Sequence, residues 1–212
     1  IDQAEVVQRQ KQHIREIESE ILRIKYQQLK AQVNPHFLFN SLNILISLIN
    51  SNPHRATEFT KQLAAIYRYL LSNDKQDVVL LSEELKFAQQ YAKILNIRYG
   101  EGIKINIPQA TDVSILSMRI IPTSLQVLIE NACKHNIIST SNPLIINAFI
   151  DDNKIIVTNN LSPRPIPADS TGVGLKGLKE KYKIISHKEI EINQTDTTFS
   201  VSIPLIPKNE LE

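Results

Sequence analysis

At 212 residues, 42% of them hydrophobic, the chain is long enough for one large or two small domains and too apolar for general disorder. A net charge of +2 with no basic stripe argues against a nucleic-acid footprint, and no run of 18 apolar residues is present to span a bilayer. A single cysteine, Cys133, excludes an internal disulfide and fits a reducing compartment. No signal peptide is legible, and the sole methionine is Met118. The expectation is a cytoplasmic fragment with no membrane contact of its own, cut from a longer chain whose absent N-terminal part holds membrane spans or a sensor.

Stepping from Val7 in alternating threes and fours gives Val7, Gln10, Ile14, Ile17, Ile21, Ile24, Gln28, Ala31, Pro35, Leu38, Leu42, Leu45 and Ile49. Ten of these thirteen positions are apolar. That pattern predicts a coiled-coil seam, which needs a partner helix, with Gln10 and Gln28 fixing register. An amphipathic helix packed on its own domain is the plainer alternative.

Inside the seam lies Asn34-Pro35-His36-Phe37-Leu38-Phe39-Asn40-Ser41-Leu42-Asn43. A helix-interior proline removes an amide donor and clashes with the preceding turn, at a cost of about 3 kcal/mol. Pro35 falls on the seam, so His36 falls just outside it, within reach of solvent or another domain. Its ordinary pKa leaves a neutral, nucleophilic ring nitrogen near pH 7. Asn40 lies one turn along the same face, placed to orient the ring, and Asn43 adds a second amide beyond it. His36 is therefore a candidate phosphoacceptor, although read alone the plainer reading is a surface histidine beside a kink.

Ser51-Asn52-Pro53 reads as a helix stop. A second helix follows with Ala56, Phe59, Leu63, Ile66 and Leu70 on one face. Ser82 is the expected N-cap of a third, with Glu83 and Glu84 in its first turn where the helix dipole favours acids. Leu85, Ala88, Ala92, Leu95 and Tyr99 form its stripe, and Gly100 ends it. Two antiparallel helices from each of two chains would make a four-helix bundle. Residues 1–99 are thus expected to form a helical dimerisation region, and 100–212 a second domain, hinged at Gly100 to Gly102.

After Gly100 the period changes. Ile103, Ile105 and Ile107 alternate with polar residues as in a half-buried strand. Pro122 is placed to open a helix, with Leu125, Leu128, Ile129, Ala132 and Cys133 as its buried face. Glu130, Asn131, Lys134 and His135 bring polar chemistry to its far end, the last three sharing one face. Lys134 and His135 are also what a helix C-terminus attracts. Strands follow at 144–150 and 154–158, then a connection from Asn159 to Thr171 long enough to be a lid. Gly172 and Gly174 precede or open a helix, where backbone amides can hold phosphate oxygens. Strands near 189–193 and 198–206 complete an α+β two-layer domain.

Taken together, these residues resemble the LytS-type sensor histidine kinases over nearly the whole chain. Gln32 to Asn43 is similar to that family's phosphoacceptor motif, Leu128 to Asn136 to its N box, and Gly172 to Tyr182 to its second glycine box. Arg68-Tyr69 and Arg98-Tyr99 match its Arg-aromatic pairs. The resemblance implies a dimerising helical bundle followed by a Bergerat-type two-layer α/β sandwich that binds ATP. His36 would accept the γ-phosphoryl group, with Asn40 and Glu130 assisting. Asn131 would coordinate Mg²⁺, and Lys134 and His135 would contact phosphates. Gly172 and Gly174 would give the lid its hinge and phosphate approach, Leu175 would join them in binding the cofactor, and Thr198 would join the adenine-side water network. The implied partners are a second copy of the chain and the receiver domain of a response regulator.

Three residues depart from the wider pattern. Asn159-Asn160-Leu161 stands where related ATPases have Asp-x-Gly, so Asn159 would accept the adenine hydrogen bond without charge assistance. Phe37 follows the histidine where many histidine kinases carry an acid, and Gly177 replaces an asparagine of the last motif. These departures motivate two rival readings: a dimeric scaffold that binds nucleotide weakly without phosphotransfer, and an ATPase that phosphorylates nothing.

Overall fold

A computed structural model describes residues 12, 35–73, 75–109, 112–164 and 173–208, with the side chains of 35, 36 and 173 left aside. The seam positions before Pro35 all lie outside the described residues, as do 165–172, which include Gly172. The chain falls into two units with their boundary between Ala56 and Thr57, whereas the sequence suggested a change at 99/100.

The first unit contains helix α1 (Pro35–Ser51) and the opening of α2 (Pro53–Ser72). The expected stop at 51–53 is a helix-to-helix joint. Asn52 Oδ1 accepts the Arg55 amide at 3.1 Å, an N-cap bond, and Pro53 occupies the first helical position, where a missing donor is harmless. Along α1, Phe39, Leu42, Ile46 and Ile49 recur at spacings of three and four and are all exposed, Phe39 at 65%. Two of them, Leu42 and Ile49, are seam positions.

The second unit starts in α2, whose Phe59, Leu63 and Ile66 are buried as the periodicity predicted. Next come β1 (Val79–Leu80), α3 (Leu81–Tyr99), β2 (Ile103–Asn106), the short α4 (Val113–Leu116), β3 (Arg119–Ile120) and α5 (Ser124–His135). The chain closes with β4 (Leu144–Asp151), β5 (Lys154–Asn160), α6 (Val173–Ile185), β6 (Glu191–Gln194) and β7 (Thr198–Pro204). A five-stranded sheet runs β2-β4-β5-β7-β6, parallel between β2 and β4 and antiparallel elsewhere. The parallel pair requires a crossover, and α5 lies within it. The β4–β5 hairpin turns at Asp152, whose positive φ of 55° suits the tight turn that a right-twisted pair needs.

Alternation along the strands buries Leu144, Ile146, Ala148, Ile155, Val157, Val201 and Ile203 on one sheet face. Helix α5 packs on β4 and β5 and between α3 and α6, and α3 packs on β2. The result is the expected α+β architecture, helices layered on one face of a mixed sheet.

Three local expectations are corrected. Ser82 does not cap α3: the cap is Leu80, without a side-chain bond, because the Leu81 amide is taken by the Met118 carbonyl at 2.8 Å beside the β1–β3 pair. Pro122 does not open α5, which begins at Ser124 behind Thr123 in the left-handed region (φ 64°). Gly100 to Gly102 is a 3-10 turn and not a hinge, since α3 before it and β2 after it pack together in one unit. A Cβ on Gly102 would meet Ile138 Cγ2 at 3.3 Å, so a larger residue here would require that side chain to give by a few tenths of an ångström.

Candidate functional site

Helix α5 carries most of the candidate residues, and its N-terminus is held by groups from elsewhere. The Glu84 carboxylate, fully buried, accepts the Leu125 amide at 2.9 Å on one oxygen and the Thr123 amide at 3.0 Å on the other. The same second oxygen takes the Tyr69 hydroxyl at 2.6 Å. Glu84 thus caps α5, where the sequence reading had it complementing the dipole of its own helix. An acid at a helix N-terminus is favoured by the dipole whichever chain segment supplies it, and this cap supports the left-handed Thr123. On the other flank, Tyr182 of α6 is buried and its hydroxyl accepts the Ile121 amide at 3.3 Å.

Burial pushes the Glu84 carboxyl up to about 7, against the downward pull of Tyr69 and of the Leu125 and Thr123 amides. Burial, and then the charge of Glu84, keeps the Tyr69 hydroxyl protonated, so it is the donor.

Midway along α5, Glu130 Oε1 accepts the Tyr91 hydroxyl at 2.8 Å and the Gln126 side-chain amide at 2.9 Å. Both donors fall on one oxygen, and among the described residues no hydrogen bond falls on the other. Asn131 and Lys134 are half-buried and His135 is exposed, at the helical spacing that aligns them. At the far end, Asn136 donates to the Ala132 carbonyl at 2.9 Å and accepts the Ser162 amide at 2.7 Å. Arg164 donates to the Asn136 carbonyl at 2.9 Å and the Cys133 carbonyl at 3.3 Å, satisfying helix-end carbonyls and tying the start of the expected lid to α5. Burial, and then the charge of Glu130, pushes the Cys133 thiol up to about 12, which disfavours its thiolate.

Asn159 is buried on the helix-facing side of β5. Its amide nitrogen donates to the Asn160 carbonyl at 2.7 Å, so its oxygen is the group that can accept from a ligand. Gly174 lies in the first turn of α6, where an added Cβ would sit 3.6 Å from Val127 Cγ1 of α5, and Leu175 follows half-buried. Thr198 is not brought to this face. It pairs with Asn160, while Asn159 pairs with Phe199, so strand alternation turns Thr198 to the opposite side, where its hydroxyl meets that of Thr195 at 2.8 Å. His36 and Asn40 occupy positions one turn apart on α1, in the other unit.

Sequence reasoning missed Glu84, Tyr69 and Tyr91 as parts of this arrangement. The available signal was phase: Glu84 repeats with Ala88, Tyr91 and Leu95 on the buried stripe of α3, and a carboxylate in phase with a core needs donors from another element.

With the geometry in place, residues 24–103 match the histidine kinase family model, a span that includes His36, Tyr69 and Glu84. Over that stretch the chain is similar to the histidine kinases. Across a longer span it is similar to Sensor protein LytS of Oceanobacillus iheyensis, 33% identical over 135 residues, which are 63% of this chain and 23% of that protein. It is also similar to Sensor histidine kinase/phosphatase LytS of Staphylococcus aureus (strain MRSA252), 33% identical over 121 residues, 57% of this chain and 20% of that protein. The resemblance to LytS-type sensor kinases is borne out, and the chain spans about a quarter or less of the length of these curated relatives. Among solved structures, the catalytic domain of histidine kinase ThkA aligns with a TM-score of 0.41 and 15% identity, covering 62% of this chain and 97% of that one.

Proposed function

We propose that this chain is the catalytic portion of a two-component sensor histidine kinase, which phosphorylates His36 from Mg·ATP and passes the phosphoryl group to an aspartate of a response-regulator receiver domain. The observation that carries the reading is the presence, in one chain, of the His36 segment inside the family-matched span and of Glu130, Asn131, Lys134 and His135 along one buried-based helix.

A ring nitrogen of His36 attacks the γ-phosphorus, the bond to the β–γ bridging oxygen breaks, ADP leaves, and the imidazole proton is released. Such a transfer asks the protein mainly for positioning and charge stabilisation. Asn159 offers an acceptor for the adenine amino group, and Lys134 and His135 supply donors toward phosphate oxygens. The free oxygen of Glu130 orients the nucleophile or a water. Among the described residues no three His, Cys, Asp or Glu side chains gather as a metal cage. Mg²⁺ is commonly held by one or two protein oxygens together with waters and nucleotide phosphates, and here Asn131 would supply the protein oxygen. When bound, it would neutralise charge developing on the phosphates.

The exposed stripe Phe39, Leu42, Ile46 and Ile49 supports pairing with a second copy through α1, because its spacing is that of a helix seam. Among the described residues no helix is long and apolar enough to cross a membrane.

Incubation with γ-labelled ATP and Mg²⁺ tests the reading. The expected result is an acid-labile, base-stable label on the protein that falls to background in His36→Gln. Nucleotide binding without label would support a scaffold instead, and free phosphate without label an ATPase.

A further inference from the structure

Tyr69, near the C-terminal end of α2, touches two groups that lead to α5. Its hydroxyl donates to Glu84, which caps α5 through the Thr123 and Leu125 amides. Its ring stacks on Phe87 with centroids 4.1 Å apart and planes 13° from parallel. Phe87 in turn lies 6.3 Å from the Tyr91 ring, and the Tyr91 hydroxyl is the donor on Glu130. One route therefore ends on the first turn of α5 and the other on its middle, one residue before Asn131. The groups along both routes are buried or half-buried: Phe87 and Tyr91 are exposed by no more than 2%, and Glu84 is fully enclosed. Contacts among close-packed groups transmit displacement because the packing leaves little room to absorb it.

We propose that Tyr69 is a positioning residue that couples α2, which follows the His36-bearing helix after the joint at Asn52, to the orientation of the helix bearing Glu130 and Asn131. The coupling runs both ways, since a ligand that fixes α5 must by linkage bias α2 equally. The side chain makes no contact with substrate in this scheme; it sets where α5 sits. The inference rests on the nucleotide reading above, and its test separates the two.

The probe is Mg·ADP, and the measurement is amide hydrogen exchange on the whole chain. In the wild type, Mg·ADP is expected to slow exchange along α5 and also at residues 66–72 of α2, the latter by about fivefold or more. Tyr69→Phe keeps the ring stack and removes only the donor to Glu84. It is expected to retain protection of α5, with nucleotide affinity changed less than about threefold, and to lose most of the protection at 66–72. Glu84→Gln, which puts an amide group against one of the backbone donors, should give the same loss. A merely structural role would instead raise exchange throughout the unit in the absence of nucleotide. Protection confined to α5 in the wild type, or undiminished at 66–72 in both variants, overturns the coupling alone. Failure of the wild type to bind Mg·ADP overturns the nucleotide reading and the coupling with it.

Discussion

Replacement of Glu84 with alanine is expected to destabilise the protein by about 3 kcal/mol at pH 8, measured by urea unfolding. The substitution orphans three donors at once: the Tyr69 hydroxyl and the Thr123 and Leu125 amides. Each buried donor left unsatisfied costs about 1–3 kcal/mol. Removing the carboxylate also removes its own desolvation cost, which offsets part of that loss, so the net lies well below the sum. Glutamine retains one acceptor oxygen at this position and should cost about 1 kcal/mol, near the value of a single hydrogen bond. An alanine variant as stable as the wild type would show that water or a neighbouring group replaces the carboxylate.

The same residue gives the protein a pH dependence of known sign. Glu84 is raised from 4.5 to about 7 in the folded protein, so between those values the folded chain holds a proton that the unfolded chain releases. Its contribution to stability is fully present below the unfolded value of 4.5 and is lost as pH rises through about 7. The span of that loss is about 3 kcal/mol. Unfolding free energies at pH 5 and pH 8 should therefore differ more in the wild type than in Glu84→Gln, where nothing titrates at this position. Equal differences in the two proteins would mean that the carboxyl is ionised throughout.

The second large effect is expected at Asn131. Substitution by leucine preserves side-chain volume on a half-buried helix position and removes the only oxygen proposed to meet the metal. Mg-dependent labelling of His36 should fall by about 10²–10³, the usual consequence of losing one charge-stabilising group in a phosphoryl or acyl transfer site. The thermal midpoint without nucleotide should move by only a few degrees, roughly the shift expected from a change under 1 kcal/mol. Labelling at the wild-type rate would remove Asn131 from the mechanism.

What the chain alone determined is where most helices and strands run, though not their caps. The apolar periods placed α2, α3 and α5, alternation placed β2, and runs between turn residues placed β4, β5 and β7, because side-chain direction repeats every 3.6 or 2 residues regardless of what lies opposite. Motif spacing set Glu130, Asn131, Lys134 and His135 along one helix for the same reason. Tertiary structure decided the groups whose partners lie far along the chain. Glu84 reaches the Leu125 amide across 41 residues, and no local pattern distinguishes that bond from an ordinary first-turn acid. Thr198 and Asn159 part company for a related reason: each strand's alternation was legible, but their relative register was fixed only by the β5–β7 pairing. The boundary at 56/57 is likewise a matter of packing, since α3 joins the sheet layer through its buried stripe and not through its place in sequence.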